Sequence, residues 1–263
     1  MKIGFVGCGA IGSCYASYLS REHEVCVLDT YAPVIESIKK NGILVDECVP
    51  GTGTGETVVF HPAMATTDPK EIGVVDLLIV FVHYQYLEAA VRNALPMIDK
   101  HTMVLCLQNG LGNYDEIAKV VPEEQIIIGN TAFGSTPVGP GHVKHTGTGV
   151  TNLGSLKAPM AKVEEMAEGL RAAGLEVQVH EVLLAVAQLL ELCQFCPGGC
   201  FVRVPLDEEE ILRLHAVIQP LAVGPEQVVQ MIHLVAIGQA QALLGVDIFR
   251  FHLQHLNDLN GAL

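Results

Sequence analysis

The sequence predicts an α/β protein: a doubly wound parallel sheet at the N-terminus, followed by an all-helical C-terminal domain. Two observations predict it. Apolar strand-like runs alternate with helix-like stretches to about residue 130, with turn residues at the ends of the runs. Several runs are apolar almost without interruption, as strands covered on both faces must be. Past residue 181 the composition shifts and no lysine follows Lys162. Residues 182–196, 207–219 and 224–263 read there as largely apolar helices.

Residues 1–6 read as the first strand, running directly into Gly7-Cys8-Gly9-Ala10-Ile11-Gly12. Residues 13–21 read as a helix, and residues 24–28 as a second strand that ends on Asp29, 22 residues after Gly7. Each part of this G-x-G-x-x-G has a mechanical reason. Gly7 permits the sharp turn out of the strand, Gly9 lets a pyrophosphate approach the backbone, and Gly12 lets helix and sheet pack closely. The helix N-terminus then offers free N–H groups and its positive dipole end to phosphate oxygens. A carboxylate at Asp29 accepts from the adenosine ribose hydroxyls and repels a 2′-phosphate, so NAD is the cofactor expected rather than NADP. This half is therefore expected to be a Rossmann domain, residues 1–181, with Gly7, Cys8, Gly9, Ala10, Ile11, Gly12 and Asp29 holding the cofactor.

The remaining elements follow in order. Residues 31–40 read as a helix, and residues 43–67 as short β pieces, residues 57–60 among them. The apolar run 74–82 reads as a buried parallel strand, ending at Val82 and His83, which are further cofactor-binding candidates. A helix over 86–95 follows, then a strand over 102–107 that ends on Gln108-Asn109-Gly110-Leu111-Gly112-Asn113. Asn109 stands where open α/β sheets bind ligands. A helix over 114–121 and a strand over 125–129 complete the alternation. Residues 131–154 are rich in Gly, Thr and β-formers and predict two short antiparallel strands around residues 137–141. Residues 157–173 read as an amphipathic helix and residues 175–180 as a strand.

Composition narrows the function classes. The net charge of −14 over 263 residues argues against nucleic acid and anionic membrane as partners. No run of 18 apolar residues predicts a transmembrane helix, and a core strand at the very start predicts no secretory leader. The eight cysteines then read as reduced thiols of a cytoplasmic protein. Cys193, Cys196 and Cys200 lack an obvious fourth ligand and bracket Pro197-Gly198-Gly199, so no metal site is expected there.

Three stretches carry a family resemblance: Gly7-Cys8-Gly9-Ala10-Ile11-Gly12, Leu107-Gln108-Asn109-Gly110-Leu111-Gly112-Asn113 and Gly139-Pro140-Gly141-His142-Val143. Together they resemble the ketopantoate reductase (2-dehydropantoate 2-reductase) family over residues 1–181. The resemblance implies a Rossmann domain for a nicotinamide cofactor and a helical domain, residues 182–263, that closes over a 2-oxo acid; a bare apolar face on those helices is the surface expected for a homodimer. It places Asn109 beside nicotinamide and substrate, and Ser135 toward the cofactor's far side. His83 falls where the family commonly has a lysine, and Asp29 where NADPH-using members commonly have arginine. In this respect the chain is similar to the family's NAD-dependent D-2-hydroxyacid dehydrogenases of the D-mandelate type.

The second half departs from the pattern. Gln188 stands at the position of the catalytic lysine, with Leu192 and Cys196 at two asparagine positions. His255 holds the position of a substrate-binding glutamate, and Leu243 that of a serine. Hydride delivery to a ketone leaves charge on oxygen, which a donor must neutralise. Asn109, Gln188 and His255 are the catalytic candidates. Three readings stay open at this point: an NAD-dependent D-2-hydroxyacid dehydrogenase, a 2-dehydropantoate 2-reductase making pantoate, and a non-catalytic NAD-binding protein.

Overall fold

The computed structural model describes residues 1–180, apart from residue 52 and residues 109–111. The domain boundary expected near residue 181, the helices expected beyond it, and Asn109, Gln188, His255 and the Cys193–Cys200 cluster lie outside the described residues. In chain order the elements are β1 (Lys2–Val6), α1 (Ala10–Leu19), β2 (Glu24–Leu28), α2 (Ala32–Asn41), β3 (Ile43–Glu47), β4 (Thr57–Phe60), β5 (Met64–Thr66), α3 (Pro69–Ile72) and β6 (Leu77–Val80). There follow α4 (Leu87–Asn93), β7 (Met103–Cys106), α5 (Asn113–Ala118), β8 (Ile126–Thr131), β9 (Gly134–Gly139), β10 (His142–Gly147), β11 (Thr151–Gly154), α6 (Met160–Ala172) and β12 (Val177–Val179). No helix among the described residues is long and apolar enough to cross a membrane.

Eight strands form one sheet in the order β12-β11-β8-β7-β6-β1-β2-β5. Every pairing in it is parallel except β11 with β8. The exception has a topological cause: between β8 and β11 the chain makes the β9–β10 hairpin instead of a helical crossover. One face of the sheet packs Tyr15 and Leu19 of α1 and Val163, Met166 and Leu170 of α6 against Ile3, Phe5 and Ile127. The other packs Ile72, Leu87, Val91 and Ile117 of α3, α4 and α5 against Val6, Leu78 and Val104. Both faces are covered, which is why β6 and β7 are buried at every position and read as unbroken apolar runs.

A second, four-stranded sheet has the order β4-β3-β10-β9. Its β3 and β10 pair in parallel, although about a hundred residues separate them in sequence. The sequence foresaw the β pieces but not this sheet. It lies against α1, where the buried His145 on β10 sets Nδ1 2.8 Å from Glu47 Oε2 on β3 and 3.0 Å from the hydroxyl of Tyr18 on α1.

The strand order turns at β1: the chain first moves out to β2 and β5, then returns to β6 on the other side. Such a reversal opens a crevice beyond the carboxyl ends of the strands, at Gly7 after β1 and Phe81 after β6. Gly7 N donates to Leu28 O at 3.0 Å, and Phe81 N to Val6 O at 2.8 Å, so both edges of the crevice are tied to the sheet.

Candidate dinucleotide site

The crevice is a cleft of about 930 Å³. Gly7, Gly9, Ala10, Ile11, Gly12 and Asp29 line one part, and Phe81, Val82, His83, Leu107, Gln108, Thr131 and Phe133 another. The three glycines differ in what a side chain would meet. Gly7 has φ +94°, in the left-handed region, and a Cβ there would lie 2.3 Å from Phe81 O. A Cβ on Gly12 would lie 2.1 Å from Gly7 O. A Cβ on Gly9 would meet nothing within 4 Å, and φ −68° is open to any residue. Among the described residues nothing requires glycine at position 9, and the space a Cβ would take stands at the cleft.

Helix α1 begins at Ala10, three residues earlier than the sequence reading. Ser13 N already donates to Gly9 O at 2.9 Å, so residues 10–12 are its first turn. No side chain caps this end, and its first turn holds no acidic residue. The N-terminal N–H groups are thus left without a side-chain cap among the described residues, beside the cleft that Gly9, Ala10, Ile11 and Gly12 line. Cys8 turns the other way and is buried; it is not among the residues lining the cleft. Burial, and secondarily the nearby Asp29 charge, push its thiol well above the ordinary range.

Asp29 sits on the rim at the tip of β2. Its Oδ2 accepts from Cys8 N at 2.7 Å and its Oδ1 from Tyr31 N at 2.8 Å. The two bonds fix the carboxylate and tie it to the glycine turn. A carboxylate has about four lone-pair sites, so acceptor capacity remains for two hydroxyls.

Val82 and His83 lie on the cleft wall after β6, ahead of a single 3-10 turn, Tyr84–Tyr86. Ser135 is placed on β9 beside Cys14 of α1 and does not line the cleft. The sequence reading missed Phe81, Gln108, Thr131 and Phe133, all of which line it. Phe81, Gln108 and Thr131 stand at or just past the ends of β6, β7 and β8, and the strand-end rule applied to Asn109 also covers them. The Thr131 hydroxyl is tied to Tyr15 at 2.5 Å and to Thr151 at 3.0 Å. Gln108 differs: both amide atoms are buried and neither has a hydrogen-bond partner among the described residues.

A family model described as ketopantoate reductase PanE/ApbA matches residues 3–158. The chain belongs to the ketopantoate reductase family. Its match takes in the glycine turn, Asp29, Gln108 and the second sheet's hairpin. The chain is 34% identical to a 2-dehydropantoate 2-reductase of Streptococcus pyogenes over 157 residues, 59% of this chain and 48% of that protein. A 2-dehydropantoate 2-reductase of Lactococcus lactis is 32% identical over 183 residues, 68% of this chain and 56% of that protein. The ternary structure of D-mandelate dehydrogenase with NADH and anilino(oxo)acetate superposes with a TM-score of 0.67. It is 32% identical and covers 73% of this chain and 61% of that one. The chain thus spans about half the length of the curated ketopantoate reductase relatives it matches.

Proposed function

We propose that the chain is an NAD-dependent oxidoreductase that reduces a 2-oxo acid to a D-2-hydroxy acid. The observation that carries this reading is Gly9, open to the cleft at the uncapped start of α1, with the fixed carboxylate of Asp29 on the same rim. The residues fit a dinucleotide. The N–H groups of residues 10–12 would hold the pyrophosphate, and Asp29 the adenosine ribose. A bound dihydronicotinamide supplies a hydride. Phe81 and Phe133 provide apolar wall that keeps water from that end of the cleft.

Asn109 orients the substrate in this reading, and Gln188 and His255 are the groups offered for stabilising or protonating the new alkoxide. Gln188 donates a hydrogen bond but is no acid, which leaves His255 as the proton source near neutral pH. In this reading residues 1–181 bind the cofactor, and residues 182–263 supply the substrate and dimer contacts. Asp29 and the NADH-bound D-mandelate dehydrogenase relative support a mandelate-type or branched substrate. The names of the curated relatives support a second reading, 2-dehydropantoate 2-reduction.

The test is NADH oxidation with ketopantoate, benzoylformate and branched aliphatic 2-oxo acids, each repeated with NADPH. Turnover of benzoylformate or a branched acid with NADH is the expected result. Turnover of ketopantoate alone replaces it with the second reading. NADH binding without turnover of any acid overturns the enzymatic reading in favour of a non-catalytic NAD-binding protein.

A further inference from the structure

Phe133 lines the cleft although no helix or strand holds it: the residue lies in the two-residue link between β8 and β9. Its ring takes its position from what packs on it. Tyr15 and Tyr18, one turn apart on α1, meet it edge-on, with centroids 5.0 and 5.4 Å away. His145 of β10 meets it face to face, at 4.3 Å with the ring planes 10° apart. His145 is itself buried and does not line the cleft.

An apolar side chain would fill the space behind Phe133 without the cost of burying polar ring nitrogens. What histidine adds is a fixed plane. The torsion that turns a ring about its Cβ–Cγ bond is broad, so a ring is oriented only by its contacts. Nδ1 of His145 lies 2.8 Å from Glu47 Oε2 on β3 and 3.0 Å from the Tyr18 hydroxyl, and Nε2 lies 3.0 Å from Gly147 O. Partners at both nitrogens set the tilt of the imidazole as well as its place. Phe133 has no polar side-chain atom to anchor it and lies flat on that imidazole. Contact therefore runs from Glu47 through His145 and Phe133 to the cleft, and so from the second sheet to the first. The place in the cleft is defined too. Asp29 follows β2, whereas Phe133 comes just past β8, three strands from β1 on the other side. A ligand that crosses the reversal in strand order meets Phe133 at the end away from Asp29.

We propose that His145 is a positioning residue: it sets the plane of Phe133, and through that ring the second sheet shapes the end of the cleft away from Asp29. This rests on the dinucleotide reading above. The experiment is a set of titrations of the full chain with NADH and with ADP, which lacks the far half of the dinucleotide, run below the melting transition of each variant. His145→Leu and Phe133→Leu are each expected to weaken NADH roughly three- to thirtyfold and to leave ADP unchanged. The double variant is expected to be no weaker than Phe133→Leu alone, because His145 acts through that ring. Glu47→Leu is expected to behave as His145→Leu, and Glu47→Gln to restore most of the NADH affinity, since an amide can meet Nδ1 as donor or as acceptor. This pair of Glu47 variants carries the test should His145→Leu not fold. Unaltered NADH affinity in His145→Leu and Glu47→Leu overturns the assignment and leaves the dinucleotide reading standing. Losses that add in the double variant overturn it as well, because His145 then acts by another route. ADP weakened as much as NADH shows general damage to the fold and also overturns it. Failure of the unsubstituted chain to bind either NADH or ADP overturns the dinucleotide reading and this assignment with it.

Discussion

At Gly7 and Gly9 two glycines of one turn do different work, and substitution separates them. Gly7→Ala forces a side chain into the left-handed region against Phe81 O, costing about 1–3 kcal/mol from the backbone alone. Its expected result is a clearly lower melting temperature. Gly9→Ala meets nothing within 4 Å among the described residues, so the melting temperature is expected to hold while NADH affinity falls roughly tenfold or more. Asp29→Asn keeps the shape and removes the charge. It is expected to lose about 1.5–3 kcal/mol of NADH binding, with NADPH gaining relative to NADH in paired titrations. The buried thiols give a pH dependence. Burial first of all pushes Cys106 from 9.0 up to about 12, and Cys14 likewise to about 12. These folded-state values lie above the unfolded ones, so their stabilisation is complete below the unfolded thiol range and is lost as pH rises from there through the folded value near 12. Thermal melts are expected to show stability falling above about pH 9, with a shallower fall in Cys106→Ala. Peptide-resolved alkylation at pH 8 is expected to label the exposed Cys48 well ahead of the buried Cys8.

Elements with a local signal were legible in the sequence. The second strand ends where predicted, at Leu28, because Asp29 and the turn after it punctuate an apolar run. The run 74–82 was read too long. Val74 is exposed, and only Leu77–Val80 keep the parallel register with β1 and β7. Helix α1 begins three residues before the expected start, with Gly12 inside its first turn, where a Cβ would lie against Gly7 O. The second sheet was illegible as a sheet, since the β3–β10 pairing joins segments about a hundred residues apart and leaves no local pattern. Its closure onto α1 depends on the buried Glu47–His145 pair, where His145 Nε2 also lies 3.0 Å from Gly147 O. Leaving a buried hydrogen-bonding group without its partner costs about 1–3 kcal/mol. Denaturant melts of His145→Ala are expected to show a loss of that size, and a loss below 1 kcal/mol would contradict this role.

At the scale of the molecule, function follows from strand order. The reversal at β1 places the tips of β1, β2, β6, β7 and β8 around one cleft, so residues distant in sequence, Gly9, Asp29, Phe81, Gln108 and Thr131, line a single surface. The glycine turn and Asp29 could be read from spacing, since a motif of fixed length reports them. Gln108 could not be singled out, because only the packed structure reveals that its buried amide has no hydrogen-bond partner among the described residues. The central claim is that this cleft takes NAD(H), and that the carboxylate of Asp29 sets the preference. Titration of the full chain with NADH and with NADPH, under identical conditions, tests it most directly. The account predicts saturable NADH binding with NADPH at least tenfold weaker. Equal or tighter binding of NADPH would contradict the role given to Asp29, and binding of neither would contradict the site itself.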